Sequence, residues 1–279
     1  MKLCGHTMGT PAYSLDEAMA FFAEIGHQGI EIRCADNGQL QPEDAREERL
    51  RSISERAAQL GLEIACLTPY HGDYSTPEAT ARTVEGLTRV ARAAQVLGCR
   101  IVRAVPGKWP LEGLSFAQAE RRAADGLRAA GDAVAPLGVT LGVETHGGTL
   151  AADSEQALSL LQLVDHPHVR LILDYYWLYA AGDTEPDAVM PDLAPLTAHV
   201  HVKDLVRRGR EVSSVPLGQG QVDWPLILAH LLAAGYDGFL SDEYEKLWRP
   251  KLPDPEEAMP ANRQRMVQWL EAARGMLAE

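Results

Sequence analysis

Short apolar stretches alternate with longer helical ones along the whole chain. Eight of the short stretches are rich in β-branched and other apolar residues and have the length of strands. They cover residues 2–8, 29–34, 62–69, 100–106, 139–146, 169–177, 198–205 and 238–245. Strict alternation of strands with helices predicts a parallel sheet that is covered by helices.

The helical stretches carry recognisable start and stop signals. Five begin after a residue whose side-chain oxygen can cap free backbone N–H groups: Ser14, Thr76, Ser115, Asp153 and Asp223. Five end before a glycine, the residue that best adopts the left-handed conformation after a helix: Gly26, Gly61, Gly98, Gly138 and Gly235. The proline-rich residues 249–261 predict a long loop before the last helix.

Eight strand-helix units predict closure into a (β/α)₈ barrel, that is, an α/β fold of the TIM-barrel type. The length of 279 residues suits this architecture, which typically takes about 250. No linker, low-complexity tract or block of charge divides the chain, so we expect one domain over residues 1–279.

Composition narrows the class of partner. The chain is 46% hydrophobic and 23% charged, with a formal net charge of −13. This acidity argues against binding to nucleic acid or to an anionic membrane, which relies on clustered Lys and Arg. There is no apolar run of membrane-spanning length and the first ten residues lack the apolar core of a signal peptide, so we expect a cytoplasmic protein. The four cysteines are far apart and are predicted to be buried thiols.

Polar residues close the last four predicted strands, at the barrel end where active sites form. These strands contain the segments VETHGG, LILD, HVHVKD and SDEYE. They deliver Glu144, Asp174, a histidine and Glu243 at about the same height. Acidic groups in a dry barrel mouth repel one another unless a cation lies between them. Three carboxylates and one imidazole are suitable ligands for Mn²⁺, Mg²⁺, Co²⁺ or Zn²⁺.

The seventh strand offers two histidines. Alternation places His199, His201 and Lys203 on one face, where each polar side chain needs a partner if it is buried. Periodicity alone leaves open which histidine binds a metal and which fills the core.

The same segments resemble the xylose isomerase-like TIM-barrel superfamily, in particular its sugar phosphate isomerase/epimerase branch. VETHGG is similar to that branch's E-x-H-x-G segment, HVHVKD to its H-x-H-x-K-D strand, and VPLGQGQVDW to its P-L-G-x-G-x-V-D-W loop. The resemblance spans essentially the whole chain. It implies that Glu144, Asp174, His201 and Glu243 bind one divalent metal ion, Mn²⁺ before Mg²⁺, Co²⁺ or Zn²⁺. His199 would then lie one layer deeper as a supporting or core residue.

The resemblance also implies a reaction on a small carbohydrate or polyol. A sugar, sugar phosphate or keto-sugar isomerase or epimerase would remove a proton next to a carbonyl and pass through a metal-stabilised enediolate. In ketose epimerases two ligand glutamates, matched here by Glu144 and Glu243, form the acid/base pair. His146 shares a face with Glu144 and offers a general base for the alternative, a dehydratase or β-eliminating lyase on a keto-inositol, keto-sugar or keto-glycoside. The remoter alternative is a sugar-binding barrel without catalysis. Relatives are often homo-oligomers.

Five residues are candidates for substrate binding. Arg207 matches an arginine that contacts substrate in the ketose epimerases. Trp177 stands where ketose 3-epimerases have a substrate-binding histidine, and either forms an apolar wall or packs in the core. His71 ends the third strand and either lines the site or anchors its loop. Arg103 on the fourth strand is suited to an anionic group, and Lys203 either binds substrate or supports the metal.

Two pairs of charged residues have open roles. Glu31 and Arg33 share one face of the second strand and either pair with each other or reach the barrel mouth. Lys203 and Asp204 are neighbours after the seventh strand and are expected to form a supporting pair.

Overall fold

The computed structural model describes residues 1–41 and 46–278. Eight parallel strands close into a barrel, and each pairs with the preceding and the following barrel strand until the last closes on the first. The barrel strands are β1 (Lys2–His6), β2 (Gly29–Arg33), β3 (Glu63–Thr68), β4 (Ile101–Ala104), β5 (Thr140–Glu144), β6 (Val169–Asp174), β7 (Thr197–Val202) and β10 (Phe239–Asp242). The predicted (β/α)₈ barrel is confirmed.

Helices surround the barrel. They are α1 (Leu15–Glu24), α2 (Glu47–Gln59), α3 (Pro77–Leu97), α4 (Phe116–Val134), α5 (Ser154–Val164), α6 (Tyr175–Ala181), α7 (Pro186–Leu193), α8 (Trp224–Ala233) and α9 (Pro255–Met276). Their apolar faces bury large side chains such as Phe22, Leu87, Leu127 and Trp224 against the outside of the barrel. This burial of apolar area is the main favourable contribution to the fold.

The predicted helix signals are found in the structure. Ser14 and Ser115 each accept a hydrogen bond from the third backbone N–H of their helix, and the residue at that position bonds back to the cap. At α3, α5 and α8 the capping residues Thr76, Asp153 and Asp223 accept the corresponding backbone hydrogen bond without the return bond. All five predicted glycines have positive φ; Gly98, for example, ends α3 with φ +75°.

The observed strand ends differ from the prediction by a few residues, and three further differences change the elements themselves. β6 ends at Asp174, and Tyr175 and Tyr176 begin α6 with both rings buried. α9 begins at Pro255, so half of the predicted loop 249–261 is helical; a proline needs no N–H partner in the first helical turn. After β7 the chain forms an antiparallel hairpin, β8 (Asp204–Arg208) with β9 (Glu211–Val215), which the sequence pattern did not reveal.

The interior agrees with the predicted chemistry of the cysteines. Cys4, Cys34, Cys66 and Cys99 are all buried free thiols. Among the described residues, no helix is long and apolar enough to cross a membrane.

Candidate metal centre

Four buried side chains meet at the carboxyl-terminal end of the barrel. Glu144 ends β5, Asp174 ends β6, His201 lies near the end of β7, and Glu243 directly follows β10. One nitrogen or oxygen atom of each lies within 4.8 Å of those of the other three. An irregularity in the pairing of β6 with β7 brings Asp174 opposite His201. The structure thus assembles the four residues that the resemblance selected; we call them the quartet.

The imidazole of His201 lies between the two glutamates of the quartet. Its Nδ1 is 2.9 Å from Glu144 Oε1 and 3.2 Å from Glu243 Oε2. Lys203 supplies a second cation, with Nζ 2.7 Å from Asp174 Oδ2 and 2.7 Å from Glu243 Oε2. The site is therefore a dense cluster of alternating acids and cations, shielded from solvent.

The pKa values of the three quartet carboxylates depend on burial, which raises them, and on the neighbouring cations, which lower them. Burial raises the pKa of Asp174 to about 7, and the Lys203 ammonium only partly opposes the rise. Burial acts in the same direction on Glu144, but Arg103 and His201 outweigh it and lower its pKa to about 2. For Glu243, His201 and Lys203 likewise overcome burial and hold the pKa well below its usual range. Asp174 is thus the quartet carboxylate whose negative charge is stabilised least by neighbouring cations.

A divalent metal ion fits this set of donors. Asp174 Oδ1 is buried and has no hydrogen-bond donor among the described residues, which is a costly state for a carboxylate. Its backbone is fixed by Thr145, whose hydroxyl accepts from Asp174 N at 2.9 Å and donates to Asp174 O at 3.0 Å. A hard cation would satisfy the free oxygen, and three carboxylates with one imidazole suit Mn²⁺, Mg²⁺, Co²⁺ or Zn²⁺.

Arg103 belongs to the wall of the site. Its Nη1 donates to Glu144 Oε2 at 3.0 Å, while Nε and Nη2 donate to the carbonyl of Pro69 at 3.0 and 2.9 Å. The guanidinium is buried and stacks on Tyr70, with its central carbon 4.5 Å from the ring centroid. Arg103 therefore orients Glu144, and its proposed contact with substrate remains a prediction.

His146 and Trp177 form an aromatic pair beside the quartet. Their ring centroids are 4.3 Å apart, and His146 Nδ1 lies 2.8 Å from the carbonyl oxygen of Gly147. The ring of Trp177 is 5.8 Å from Lys203 Nζ, which places it next to the acidic cluster. This position is compatible with an apolar wall at the site.

His71 and Arg207 are not brought to the quartet. The ring of His71 packs on α3, where a Cβ added at Gly86 would lie 2.4 Å from it. Arg207 lies on β8, and its Nε donates to the carbonyl of Gly209 at 3.2 Å. Neither side chain has a hydrogen bond or ion pair with the quartet within the described parts of the chain, and both roles in substrate binding remain predictions.

Glu31 is the site residue whose position the sequence did not settle. Its carboxylate is fully buried inside the barrel and bonds to His199 Nε2 at 2.9 Å and to His201 Nε2 at 3.0 Å. Burial disfavours its charge, yet His201 and His199 hold the pKa of Glu31 well below the usual value. The suggested pairing with Arg33 is wrong, because Arg33 donates to Tyr70 Oη at 2.8 Å and to Asn37. Alternation placed Glu31 on the inner face; its partners come from 168 and 170 residues away.

The expected pair of Lys203 and Asp204 is also wrong. Lys203 points to the carboxylates of the quartet, whereas Asp204 binds the loop of the PLGQG motif. Asp204 Oδ2 accepts from the backbone N–H groups of Gly218 and Gly220, each at 2.9 Å. Adjacent residues on an extended chain point to opposite sides, which explains the separate partners.

A closed α/β barrel with a buried acidic cluster at its strand ends defines the class of protein. A family model described as "Xylose isomerase-like TIM barrel" matches residues 19–273. The chain belongs to this family.

Two curated relatives of the chain are enzymes of different kinds. The chain is 25% identical over 245 residues to a 3-dehydroshikimate dehydratase of Bacillus anthracis, covering 81% of this chain and 85% of that protein. It is 26% identical over 125 residues to a 2-oxo-tetronate isomerase of Pectobacterium atrosepticum, covering 43% of this chain and 45% of that protein. The similarities support an enzyme and include both an isomerase and a dehydratase.

Solved structures share the fold over almost the full length. An L-ribulose 3-epimerase superposes with a TM-score of 0.81 at 23% identity, covering 99% of this chain and 97% of that one. The IOLI protein, whose structure contains a bound zinc atom, superposes with a TM-score of 0.79 at 22% identity, covering 97% and 98%. At these identities the match establishes the barrel fold.

Proposed function

We propose that this protein is a divalent-metal-dependent isomerase or epimerase of a small keto-sugar or a related keto compound. The observation that carries the proposal is the quartet: three carboxylates and one imidazole, all buried, converge at the end of the barrel where catalytic residues lie. We infer Mn²⁺ as the ion, held by Glu144, Asp174, His201 and Glu243. A relative of the same fold that contains zinc and a curated isomerase relative support this proposal.

The proposed reaction is proton transfer next to a carbonyl. A divalent ion in the quartet would polarise the carbonyl and so acidify the neighbouring C–H bond. Glu144 and Glu243 both lie in the quartet, so their carboxylates would be in reach of a bound substrate and could accept the proton from carbon and return it. The electron pair of the broken C–H bond moves onto the carbonyl oxygen. Return of the proton to the former carbonyl carbon, with the neighbouring hydroxyl proton passing to the first carbonyl oxygen, gives the isomer. Return of the proton to the opposite face of the same carbon gives the epimer.

Lys203 and Trp177 would complete the site. The Lys203 ammonium, 2.7 Å from Glu243, can donate a hydrogen bond to a substrate oxygen while it keeps that carboxylate charged. The Trp177 ring offers an apolar face for the carbon side of a sugar or polyol. These roles make the site selective for small, oxygen-rich molecules.

A dehydratase is the second candidate, and the similarity to the 3-dehydroshikimate dehydratase favours it. The first step would be the same proton abstraction. The electron pair would then form a carbon–carbon double bond as the C–O bond to a β-hydroxyl breaks, and a proton donated to the leaving oxygen would release water. His146, beside Trp177, is the candidate base for the abstraction, and the proton that it takes would then pass to the leaving oxygen.

Hydrogen–deuterium exchange would test the proposal. Purified protein is loaded with Mn²⁺ or stripped with a chelator, then incubated in deuterated water with free keto-sugars, sugar phosphates, an inosose, a keto-glycoside, 2-oxo-tetronate and 3-dehydroshikimate. NMR reports deuterium incorporation and product identity in the same sample. We expect exchange into at least one compound only with metal, and a dehydrated product would favour the lyase.

Variants connect the exchange to the quartet. Glu243→Gln should lower the exchange rate by about 10²-fold or more, since a general acid or base contributes about 10²- to 10⁴-fold. Glu120→Gln is the matched control, because Glu120 is also a buried glutamate but lies on helix α4, outside the barrel. Full exchange by Glu243→Gln would contradict the role of Glu243. Bound metal without exchange in any compound would contradict catalysis and indicate a binding protein.

A further inference from the structure

Beneath the quartet lies a second layer of buried polar residues inside the barrel. From its geometry we propose that Glu31 is a positioning residue: it fixes the His201 ring so that Nδ1, and not Nε2, is presented to the metal. This inference goes beyond the proposed reaction and rests on it only in that the quartet must bind a divalent ion.

The two nitrogens of His201 face different partners. Nδ1 points to the carboxylates of the quartet, and Nε2 lies 3.0 Å from Glu31 Oε1 on the opposite side of the ring. A charged carboxylate can only accept hydrogen bonds, so Nε2 must carry the proton. By the same rule Nδ1 donates to Glu144 Oε1 at 2.9 Å in the structure. A metal ion in the quartet would replace the proton on Nδ1, and the Nε2–H bond to Glu31 would then leave the lone pair on Nδ1, the nitrogen that faces the other ligands. Such an outer carboxylate orients a metal-binding imidazole and raises its basicity.

Glu31 is itself held rigidly. Thr68 Oγ1 donates to its Oε1 at 2.7 Å, and His199 Nε2 lies 2.9 Å from its Oε2. An irregularity in the pairing of β2 with β3 falls at this residue, between Ile30 and Glu31. With both oxygens engaged and no exposed surface, the carboxylate cannot rotate away from His201. His199 thus has a supporting role, because its Nε2 holds one carboxylate oxygen of Glu31 in place.

A rival hypothesis exists for the same layer. Cys4, Glu31 and His199 each offer one atom within 4.8 Å of the others, which is enough for a small metal site. In that case Glu31 would be the ligand of a second ion. Counting the bound ions separates the two hypotheses, because the positioning role requires one ion per chain and no ion that depends on Cys4.

The substitution Glu31→Gln tests the role directly. Glutamine has nearly the same shape, but it has one acceptor oxygen and an NH₂ group that would face donors. We expect Zn²⁺ affinity, measured by competition with a chromophoric chelator, to fall by about 10- to 100-fold, as for other outer partners of metal ligands. The visible absorption of the Co²⁺ form should change as well. Glu120→Gln, another buried glutamate but on helix α4, is the matched control and should keep wild-type affinity and spectrum.

A measurement on the wild type remains decisive if Glu31→Gln fails to fold. In Zn²⁺-loaded protein labelled with ¹⁵N-histidine, NMR should show His201 as the Nε2–H tautomer, with a slowly exchanging proton on Nε2. Zinc bound through Nε2 of His201, or unchanged affinity and spectrum in a folded Glu31→Gln variant, would overturn the inference. Two zinc ions per chain, with the second lost in Cys4→Ser, would overturn it in favour of the rival. Failure of the wild type to bind zinc, manganese or cobalt would overturn the metal site itself.

Discussion

Lys203 is a buried cation inside an acidic cluster, and its energetic role depends on what else occupies that cluster. Its ammonium contacts Asp174 and Glu243 at 2.7 Å each. Burial would lower the pKa of Lys203, but these two carboxylates raise it well above its usual value. The charge therefore persists and neutralises part of the quartet.

The substitution Lys203→Met should show how far the contribution of Lys203 to stability depends on a metal ion in the quartet. In the presence of a chelator the variant leaves the buried Asp174 without its cation and Glu243 with His201 alone, and we expect a loss of about 3–5 kcal/mol in the free energy of unfolding. Saturating Mn²⁺ should remove most of that loss, because the ion neutralises the same carboxylates. Urea unfolding with and without metal measures both values.

Lys246→Met is the control for Lys203→Met, since Lys246 bonds to backbone carbonyls and to Asp254 in the loop before α9. Its effect should be the same with and without metal. An equal loss for Lys203→Met under both conditions would contradict a metal ion in the quartet.

Individual site residues were predictable where the strand ends were marked in sequence. Glu144 and Asp174 each close an apolar strand, so their position followed from the period of two. Glu31 lies on the inner face of β2 by the same rule, but its partners depend on how strands distant in sequence align. That register is set by barrel closure, and a single sequence does not display it.

At the scale of elements, the β8–β9 hairpin is held by one carboxylate. Asp204 accepts from the backbone of Leu205, Gly218 and Gly220. The hairpin is also tied to α6 through Tyr176 Oη and Ser214 Oγ, 2.9 Å apart. These bonds explain why a charged segment with several arginines adopts a defined structure next to the site.

Gly220→Ala should release this hairpin. An added Cβ would lie 1.9 Å from Asp204 Oδ1, too close for any adjustment that keeps the hydrogen bonds. We expect faster tryptic cleavage at Arg207, Arg208 or Arg210, together with a decrease in the melting temperature. Gly275→Ala is the control, because no atom lies within 4 Å of its added Cβ in α9. Equal cleavage rates in wild type and Gly220→Ala would contradict the anchoring role of Asp204.

The turn from α1 into β2 contains a second element-scale constraint, the buried His27. Burial lowers its pKa to about 3, and Arg263 adds to the decrease. A histidine with a lower pKa in the folded state stabilises the fold above about pH 6.5 and loses that contribution as the pH falls toward 3. The free energy of unfolding should therefore fall on acidification, because His27 is protonated more readily in the unfolded chain.

His27→Gln should reduce this sensitivity to acid. Between pH 6.5 and 4, the free energy of unfolding of the wild type should fall relative to that of the variant by at most about 1.4 kcal/mol per pH unit. Urea unfolding in chelator at several pH values gives this difference. A difference that is constant with pH, or that grows in favour of the wild type, would contradict the account.

The elements themselves were largely predictable, and the exceptions have physical causes. Capping residues and glycines marked five helix starts and five helix ends because each acts locally. The YYW segment after Asp174 looked like strand because aromatic residues favour sheets, but tertiary packing buries it as helix α6. The hairpin escaped prediction because its main anchor, Asp204, bonds to backbone groups up to 18 residues further along the chain.

On the scale of the whole molecule, closure of the barrel brings residues that are distant in sequence together in one site. Glu144 and Glu243 are 99 residues apart in the chain (243 − 144) and meet only because the eight strands close. Closure places each strand end at the same rim, so the fold class alone located the site. It left undetermined which compound binds there, because substrate contacts come from loops whose conformation the strand pattern does not encode.

The metal content of two histidine variants tests whether the quartet binds a divalent ion through His201. Wild type, His201→Ala and His199→Ala are loaded with Mn²⁺, desalted and measured by mass spectrometry for bound metal, with circular dichroism to verify folding. We expect about one ion per chain in wild type, loss in His201→Ala, and substantial retention in His199→Ala, since of the two histidines only His201 faces the three carboxylates of the quartet. Retention in a folded His201→Ala, or loss in His199→Ala alone, would contradict the account.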